Sequence, residues 1–372
     1  RDTLGKMLDL PVEKIHVKGV PGSGCYGHNG ADDAAADAAL LAMAYPGTPI
    51  RLQWSRDEEN AWEPYGSAMM MDVEARLDPS GRISHWWYNL RSDSHGARPG
   101  GDPGNLIPAQ YLAHPFHKKA GGFSGGAHRN AEPYYSIPNL QVNAHIFEGP
   151  LRTSSLRSLG AYANIFAMES FMDELAEMSK TDPYEFRLKH LDDERAKAVI
   201  RKVRELIVGQ PGRSAQTNAH KGYPGSGMGL AFSRYENSKT YCAVVAQVQV
   251  DSQKGSVQVQ KMWAAIDAGE VINLDGIKNQ IEGGMIQSAS WTLKEQVRFN
   301  EKQITSRDWD TYPIFRFNDI PEVEVAVLDH PAEKALGAGE AIQGPAAAAI
   351  ANAVYHSTGK RIRSLPIVLG KG

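Results

Sequence analysis

The residues best suited to chemistry lie in Gly337-Ala338-Gly339-Glu340. This stretch runs through Ala341-Ile342-Gln343-Gly344-Pro345 into an alanine-rich segment, Ala346 to His356. Gly344 suits a helix N-cap, and Pro345 suits the first turn, where a missing N–H costs nothing. Small and apolar residues almost all round that helix predict that it is buried. A helix N-terminus carries free N–H groups and a partial positive charge. A carboxylate just upstream, between glycines, can stay ionised there, as a general base must. The competing reading is a loop glutamate that caps a helix.

Two further stretches invite chemistry. Gly22-Ser23-Gly24-Cys25-Tyr26-Gly27 matches G-x-G-x-x-G, but His28-Asn29-Gly30-Ala31 separate it from the next helix. A dinucleotide-binding turn places its last glycine within the helix start. The preceding segment also carries Glu13, Lys14, His16 and Lys18, where a buried parallel strand is apolar. What remains is a row of backbone N–H groups suited to an anion or oxo group. Arg157, in Leu156-Arg157-Ser158-Leu159-Gly160, is either a surface ion pair or a clamp for an anionic cofactor. Gly122-Phe123-Ser124-Gly125-Gly126 matches G-x-S-x-G but lacks the strand and helix of a nucleophile elbow. His114 and His117 read as loop histidines, since no HExxH accompanies them.

These residues need elements to hold them. A helix is expected at Asp2 to Leu10, a strand at Ile15 to Val20, and a helix from Asp33 to about Tyr45 capped by Asp32. Ile50 to Ser55 reads as a strand, and Ala68 to Leu77 with Ile83 to Leu90 as a hairpin. Residues 92 to 136 form a long loop region, of the kind that lines sites. Leu140 to Phe147 is a strand, Asn164 to Ser179 an amphipathic helix, and Asp182-Pro183 opens another. A charged helix runs to about Val208, and the Gly- and Ser-rich residues 209 to 227 read as a linker. Strands follow at Leu230 to Arg234, Tyr241 to Val250 and Val257 to Ala265, then a helix from Asp275 to Lys294. Strands near Val297 and at Val323 to Leu328 precede the Glu340 loop. Mixed helices and hairpins give an α+β class.

The 372 residues suffice for two domains, and 42% hydrophobic with 22% charged residues is ordinary globular composition. A net charge of -3 gives no reason to expect nucleic acid as a partner. Two cysteines without a CxxC exclude an iron–sulfur cluster built by this chain alone. The sequence opens at Arg1 inside a helical pattern, as expected of a domain cut, processed or shared with another polypeptide.

Several stretches together resemble the molybdenum hydroxylases of the xanthine oxidase and aldehyde oxidase type. Gly22 to Gly27 is similar to the family's Gly-Gly-Gly-Phe-Gly loop. Leu156 to Gly160, then Phe166 to Ala176 and Asp182 to Arg187, resemble its central segment. Ala265 to Gly269, Asn273 and Asn279-Gln280-Ile281-Glu282-Gly283-Gly284 resemble the stretch that embraces the cofactor. Gly337 to Glu340 resembles its Gly-Val-Gly-Glu signature, with Asn352-Ala353 in the helix beyond. The order matches, and the wording is nearest the isoquinoline oxidoreductase and nicotinate dehydrogenase branch.

The resemblance implies two molybdopterin-binding α+β domains with mixed sheets and packed helices. Residues 1–191 would form part of the first and 228–372 the second, joined by a connector at 192–227. It implies a molybdenum–molybdopterin cytosine dinucleotide, held by Gly24, Cys25, Tyr26, Gly27, Arg157, Ser158, Gln280, Gly283, Ala338 and Gly339. Tyr26 and Leu159 would face substrate. The pterin dithiolene would hold the metal, so no side chain here need ligate it. Glu340 would be the general base toward Mo–OH, with hydride passing to Mo=S, in hydroxylation of an electron-poor C–H of an aldehyde or N-heteroaromatic. Expected partners are the rest of the molybdopterin-binding subunit or a second chain completing it, a [2Fe–2S] subunit, and a cytochrome c or flavin acceptor subunit. The location stays open between the cytoplasmic and periplasmic faces of a bacterial inner membrane. Cys25-Tyr26 replaces the usual Gly-Phe and Ser23 a glycine, which bears on substrate size. The family's upstream half, with its Gly-Gln-Gly segment, is absent. A cofactor-free structural or assembly subunit of the same fold is the alternative.

Overall fold

The computed structural model describes residues 1–27, 31–96, 98–118, 125–208 and 225–370. Helices α1 (Asp2–Leu8), α2 (Asp33–Ala44) and α3 (Arg56–Trp62) precede a hairpin of β1 (Met69–Leu77) and β2 (Ile83–Ser92). A short α4 (Ile107–Gln110) and β3 (Asn139–Ile146) follow; β3 lies parallel to β2 and completes a sheet of order β1-β2-β3. Helices α5 (Ala161–Met178), α6 (Pro183–Lys189) and α7 (Glu194–Val208) lead to the second sheet. That sheet runs β4 (Ser226–Arg234), β5 (Tyr241–Asp251), β6 (Ser256–Asp267) and β7 (Glu322–Leu328), antiparallel except for the parallel β6–β7 pair. Helices α8 (Leu274–Leu293) and α9 (Gln343–Thr358) complete the fold.

The second sheet is buried on both faces, which explains the nearly continuous apolar runs of β5 and β6. Successive side chains alternate sides. Tyr241, Ala243 and Val245 join Trp263 and Ala265 on one face, where α7 supplies Val199, Ile200 and Val203. Cys242, Val244 and Ala246 join Met262, Ala264 and Ile266 on the other, under α8 and α9. Helix α9 lies almost against β4. A Cβ on Gly229 would sit 2.3 Å from the Ala349 carbonyl oxygen, so only glycine allows that approach.

Helix α5 ties the sheets together. Its Met168, Met172 and Leu175 pack with Trp86, Tyr88 and Leu90 of β2 in the core that also holds the α7 face of the second sheet. That core therefore draws on residues from both spans expected as domains. Helix α7 occupies most of the described part of the span expected as a connector, because its Val199, Ile200, Val203 and Ile207 form one apolar face. Residues 209–224 of the expected linker lie outside the described residues.

Three expected strands are corrected. Residues 15–20 and 50–55 join neither sheet, and near Val297 there is only an isolated bridge, Phe299 to Ile304. A strand needs a partner for its N–H and C=O groups, and residues 16–26 lie exposed. Asp32 makes no side-chain cap on α2. The neighbouring Asp33 carboxylate instead accepts from Ile107 N at 2.9 Å and pairs with Arg152. Helix α9 begins at Gln343, with Gly344 and Pro345 inside its first turn rather than Gly344 at its cap.

Candidate cofactor and proton-transfer site

Three loops meet beyond the strand ends of the second sheet, at the turn between β4 and β5: residues 24–27, 155–160 and 337–340. Gly27 is what brings the first against the second. Its φ is 103°, and a Cβ there would lie 1.4 Å from the Ser155 carbonyl oxygen. Arg157 N then donates to Tyr26 O at 2.9 Å. Ser158 and Leu159 take the left-handed conformation, φ 74° and 51°, at a cost of roughly 1–2 kcal/mol each for L residues. Hydrogen bonds hold that turn. Ser158 N donates to Glu340 Oε1 at 3.0 Å, and Ser158 Oγ donates to Glu340 O at 2.6 Å. Because the hydroxyl has one proton, Gln343 must present its Nε2 to Oγ and its Oε1 to Arg157, 2.7 Å from Nε.

Arg157 is 7% exposed and bolts the loops to α8. Its Nε donates to Gly339 O at 2.5 Å, Nη1 to Gln287 Oε1 at 3.0 Å, and Nη2 to Gln280 O and Oε1, both at 3.0 Å. These acceptors are all neutral. Burial lowers the guanidinium's proton affinity, offset in part by Tyr26 and Glu340.

A cavity of about 590 Å³ opens over these groups. Its wall brings together Gly24, Cys25, Tyr26, Gly27, Arg157, Leu159, Gln280 and Glu340, all singled out from sequence. Ser158 lies fully buried beneath it, and Gly339 contributes the carbonyl that Arg157 grips. Ala338 packs among the apolar residues under α9 instead, and Gly283 sits on α8 with open space where a Cβ would be. Neither lines the cavity.

Sequence reasoning missed Tyr235, Arg129 and Arg98. The Tyr235 hydroxyl donates to Glu340 Oε2 at 2.9 Å and accepts from Arg129 Nη1 at 2.7 Å. Arg129 Nη1 also pairs with Glu236 at 3.0 Å and lies 3.7 Å from Glu340 Oε2. Burial, then the Glu340 charge, raises the Tyr235 pKa well above the usual phenol value, so it remains a donor. The Arg98 side chain has no acceptor among the described residues. These residues follow glycine loops or a strand end and carry no spacing signal. A second cavity of about 910 Å³ shares Arg98, Arg129, Ser155 and Leu159 with the first. It also meets His95, whose pKa burial lowers to about 4, keeping the ring neutral. Of the G-x-S-x-G stretch, residues 122–124 lie outside the described residues, while Gly125 and Gly126 line this second cavity.

The donor set suits an anionic, oxo-bearing group. The Gly24, Cys25 and Tyr26 amides find no acceptor among the described residues. Arg157 forms no ion pair with a described carboxylate, and Arg98 adds a second uncommitted cation. Among the described residues, no three His, Cys, Asp or Glu side chains converge to hold a metal ion.

Comparison with known proteins agrees. Residues 153–321 match a molybdopterin cofactor-binding domain. One of the subunits of nicotinate dehydrogenase from Pseudomonas putida is 37% identical over 99% of this chain, which covers 31% of that protein. The beta subunit of isoquinoline 1-oxidoreductase from Brevundimonas diminuta is 29% identical over 97% of this chain and 44% of its own length. The chain thus spans less than half the length of these curated relatives. Quinoline 2-oxidoreductase from Pseudomonas putida 86 shares the fold, with TM-score 0.76 and 14% identity over 98% of this chain and 69% of that one.

Proposed function

We propose, from the premise that this chain belongs to the xanthine oxidase family of molybdenum hydroxylases, that it binds the pterin cofactor and supplies the base for hydroxylating an electron-poor C–H. One observation carries the reading. Glu340, three amides unpaired among the described residues, and Arg157, which meets no described carboxylate, share the wall of one cavity.

The Gly24, Cys25 and Tyr26 amides and Gln280 would hold molybdopterin cytosine dinucleotide, with Arg157 supplying positive charge behind them. When bound, that group supplies the molybdenum that takes up the two electrons of oxidation, with water as the source of oxygen. Glu340 accepts the proton. Each carboxylate oxygen already receives one hydrogen bond, from Ser158 N and Tyr235, which leaves lone pairs for an incoming proton. Its side chain is 38% exposed, enough to meet the cavity without being loose. Substrate enters through the second cavity, past Leu159, Arg98 and Arg129. The names of relatives suggest N-heteroaromatic or aldehyde substrates, and electrons would leave through [2Fe–2S] clusters of a partner subunit. The chain would hold cofactor only when the rest of the molybdopterin-binding subunit or a second chain completes the site.

The test is metal and nucleotide analysis of the natively purified complex. One molybdenum with one cytosine dinucleotide per copy of this chain is expected. A complex free of both would instead support the cofactor-free assembly subunit.

A further inference from the structure

The proposed base is held by a second residue that no sequence pattern singles out. Arg129 Nη1 donates to Tyr235 Oη at 2.7 Å and is ion-paired with Glu236 Oε1 at 3.0 Å. At 3.7 Å from Glu340 Oε2, the same nitrogen is too far for a direct hydrogen bond. An arginine has no acceptor, so the phenol oxygen must accept from it. The single Tyr235 proton then points at Glu340 Oε2, 2.9 Å away. The direction of the chain is fixed: Arg129 donates to Tyr235, and Tyr235 donates to Glu340.

The two oxygens of Glu340 are thus gripped from two elements. Oε1 takes the amide of Ser158, in the turn before α5. Oε2 takes the hydroxyl of Tyr235, which follows β4 and is 5% exposed. Without the second grip, the carboxylate plane is free to turn about its last side-chain bond. A base that turns spends less time with its open lone pair toward the substrate's proton.

We infer that Tyr235, set by Arg129, is a positioning residue that holds Glu340 in its proton-accepting orientation. This rests on the reading of Glu340 as the base. Tyr235 need touch neither cofactor nor substrate to act.

The test uses the complete enzyme with its partner subunits and three variants: Tyr235→Phe, Glu340→Ala and the double variant. A hydrogen bond to a charged group sets the scale. Tyr235→Phe should lower kcat about tenfold or more, change KM less than about threefold, and leave molybdenum content intact. In the Glu340→Ala background, Tyr235→Phe should lower kcat no further. Thermal melting of the same four proteins reads the coupling without turnover. Tyr235→Phe should lower the midpoint in wild type and not in Glu340→Ala. Arg129→Gln should cost less than Tyr235→Phe, because the tyrosine still has its proton to give.

The outcomes separate the two claims. Wild-type turnover in Glu340→Ala removes the base reading itself. A dead Glu340→Ala beside a fully active Tyr235→Phe, with additive melting shifts, removes only the inference about Tyr235. Loss of molybdenum in Tyr235→Phe also overturns it, since the residue would then serve cofactor retention.

Discussion

Two arginines among the described residues lie deep in this protein, and their surroundings differ in kind. Arg187 is fully buried and meets carboxylates: Nε reaches Glu169 at 2.8 Å and Nη1 reaches Asp173 at 2.9 Å. Glu169 also accepts from Tyr135 Oη at 2.7 Å and Phe232 N at 2.8 Å. Among the described residues, Arg157 donates to carbonyl and amide oxygens alone. The first arrangement closes on itself and binds α5 to α6 and β4. The second leaves a cation with no carboxylate among the described residues in ion-pair contact, beside a cavity. A buried charge is tolerated when paired. Arg187 finds its pair within the chain, whereas on the proposed function Arg157 would share its charge with the cofactor.

The comparison predicts its largest effect at Arg187. Arg187→Met strands Glu169 without a cation and leaves Asp173 only His356, and breaking such a pair costs about 3–5 kcal/mol. Soluble yield and thermal midpoint should collapse, with or without cofactor. If Arg187→Met melts like wild type, the closed network is not what holds α5 in place.

Arg157→Ala should fail differently. Losing a charge-assisted donor costs about 1.5–3 kcal/mol, and the loss should fall on cofactor retention. Molybdenum content should drop while the protein stays folded. Full occupancy with only a changed substrate ranking would move Arg157 into the substrate pocket.

A smaller effect tests the closed network by pH. Burial alone would lower the His356 pKa, but Asp173, 3.2 Å away, outweighs it and raises it. The folded protein therefore holds this proton more tightly than the unfolded chain. That stabilisation is complete below about pH 6.5 and fades as pH rises through the folded value. The thermal midpoint should fall from about pH 6.5 upward in wild type, and less steeply in His356→Gln. Equal slopes would remove His356 from the network.

The smallest effect is expected at Gly283, where a Cβ meets nothing within 4 Å. Gly283→Ala within a helix should stabilise the fold by about 0.5–1 kcal/mol, read as a slightly higher midpoint. A drop in molybdenum content would show that the cofactor reaches this open face of α8, as the family resemblance implies.

How much of this was legible depends on the range of the contact. The loops carrying Gly27, Arg157 and Glu340 announce themselves by glycines next to functional side chains, and they do share one wall. The hairpin and the long helices follow from period and caps. Tyr235 meets Glu340 across 105 positions, in Arg234-Tyr235-Glu236-Asn237, where nothing marks it. Residues 15–20 carry Ile15, Val17 and Val20, yet no neighbouring strand accepts them, and local pattern cannot show a missing partner. The charged sequence of α7 hides an apolar stripe whose place against β5 and β6 only the tertiary fold reveals.

The most direct test of the account is Glu340→Gln, measured as steady-state rate per molybdenum atom with occupancy determined on the same sample. The change is nearly isosteric and its one oxygen can still accept from Ser158 N or from Tyr235, but it removes the base. Turnover should fall by about 10²-fold or more, the low end for positioned base catalysis, with folding and molybdenum content near wild type. A Gln variant that turns over at close to the wild-type rate per molybdenum would contradict the claim and return Glu340 to a loop residue beside a helix.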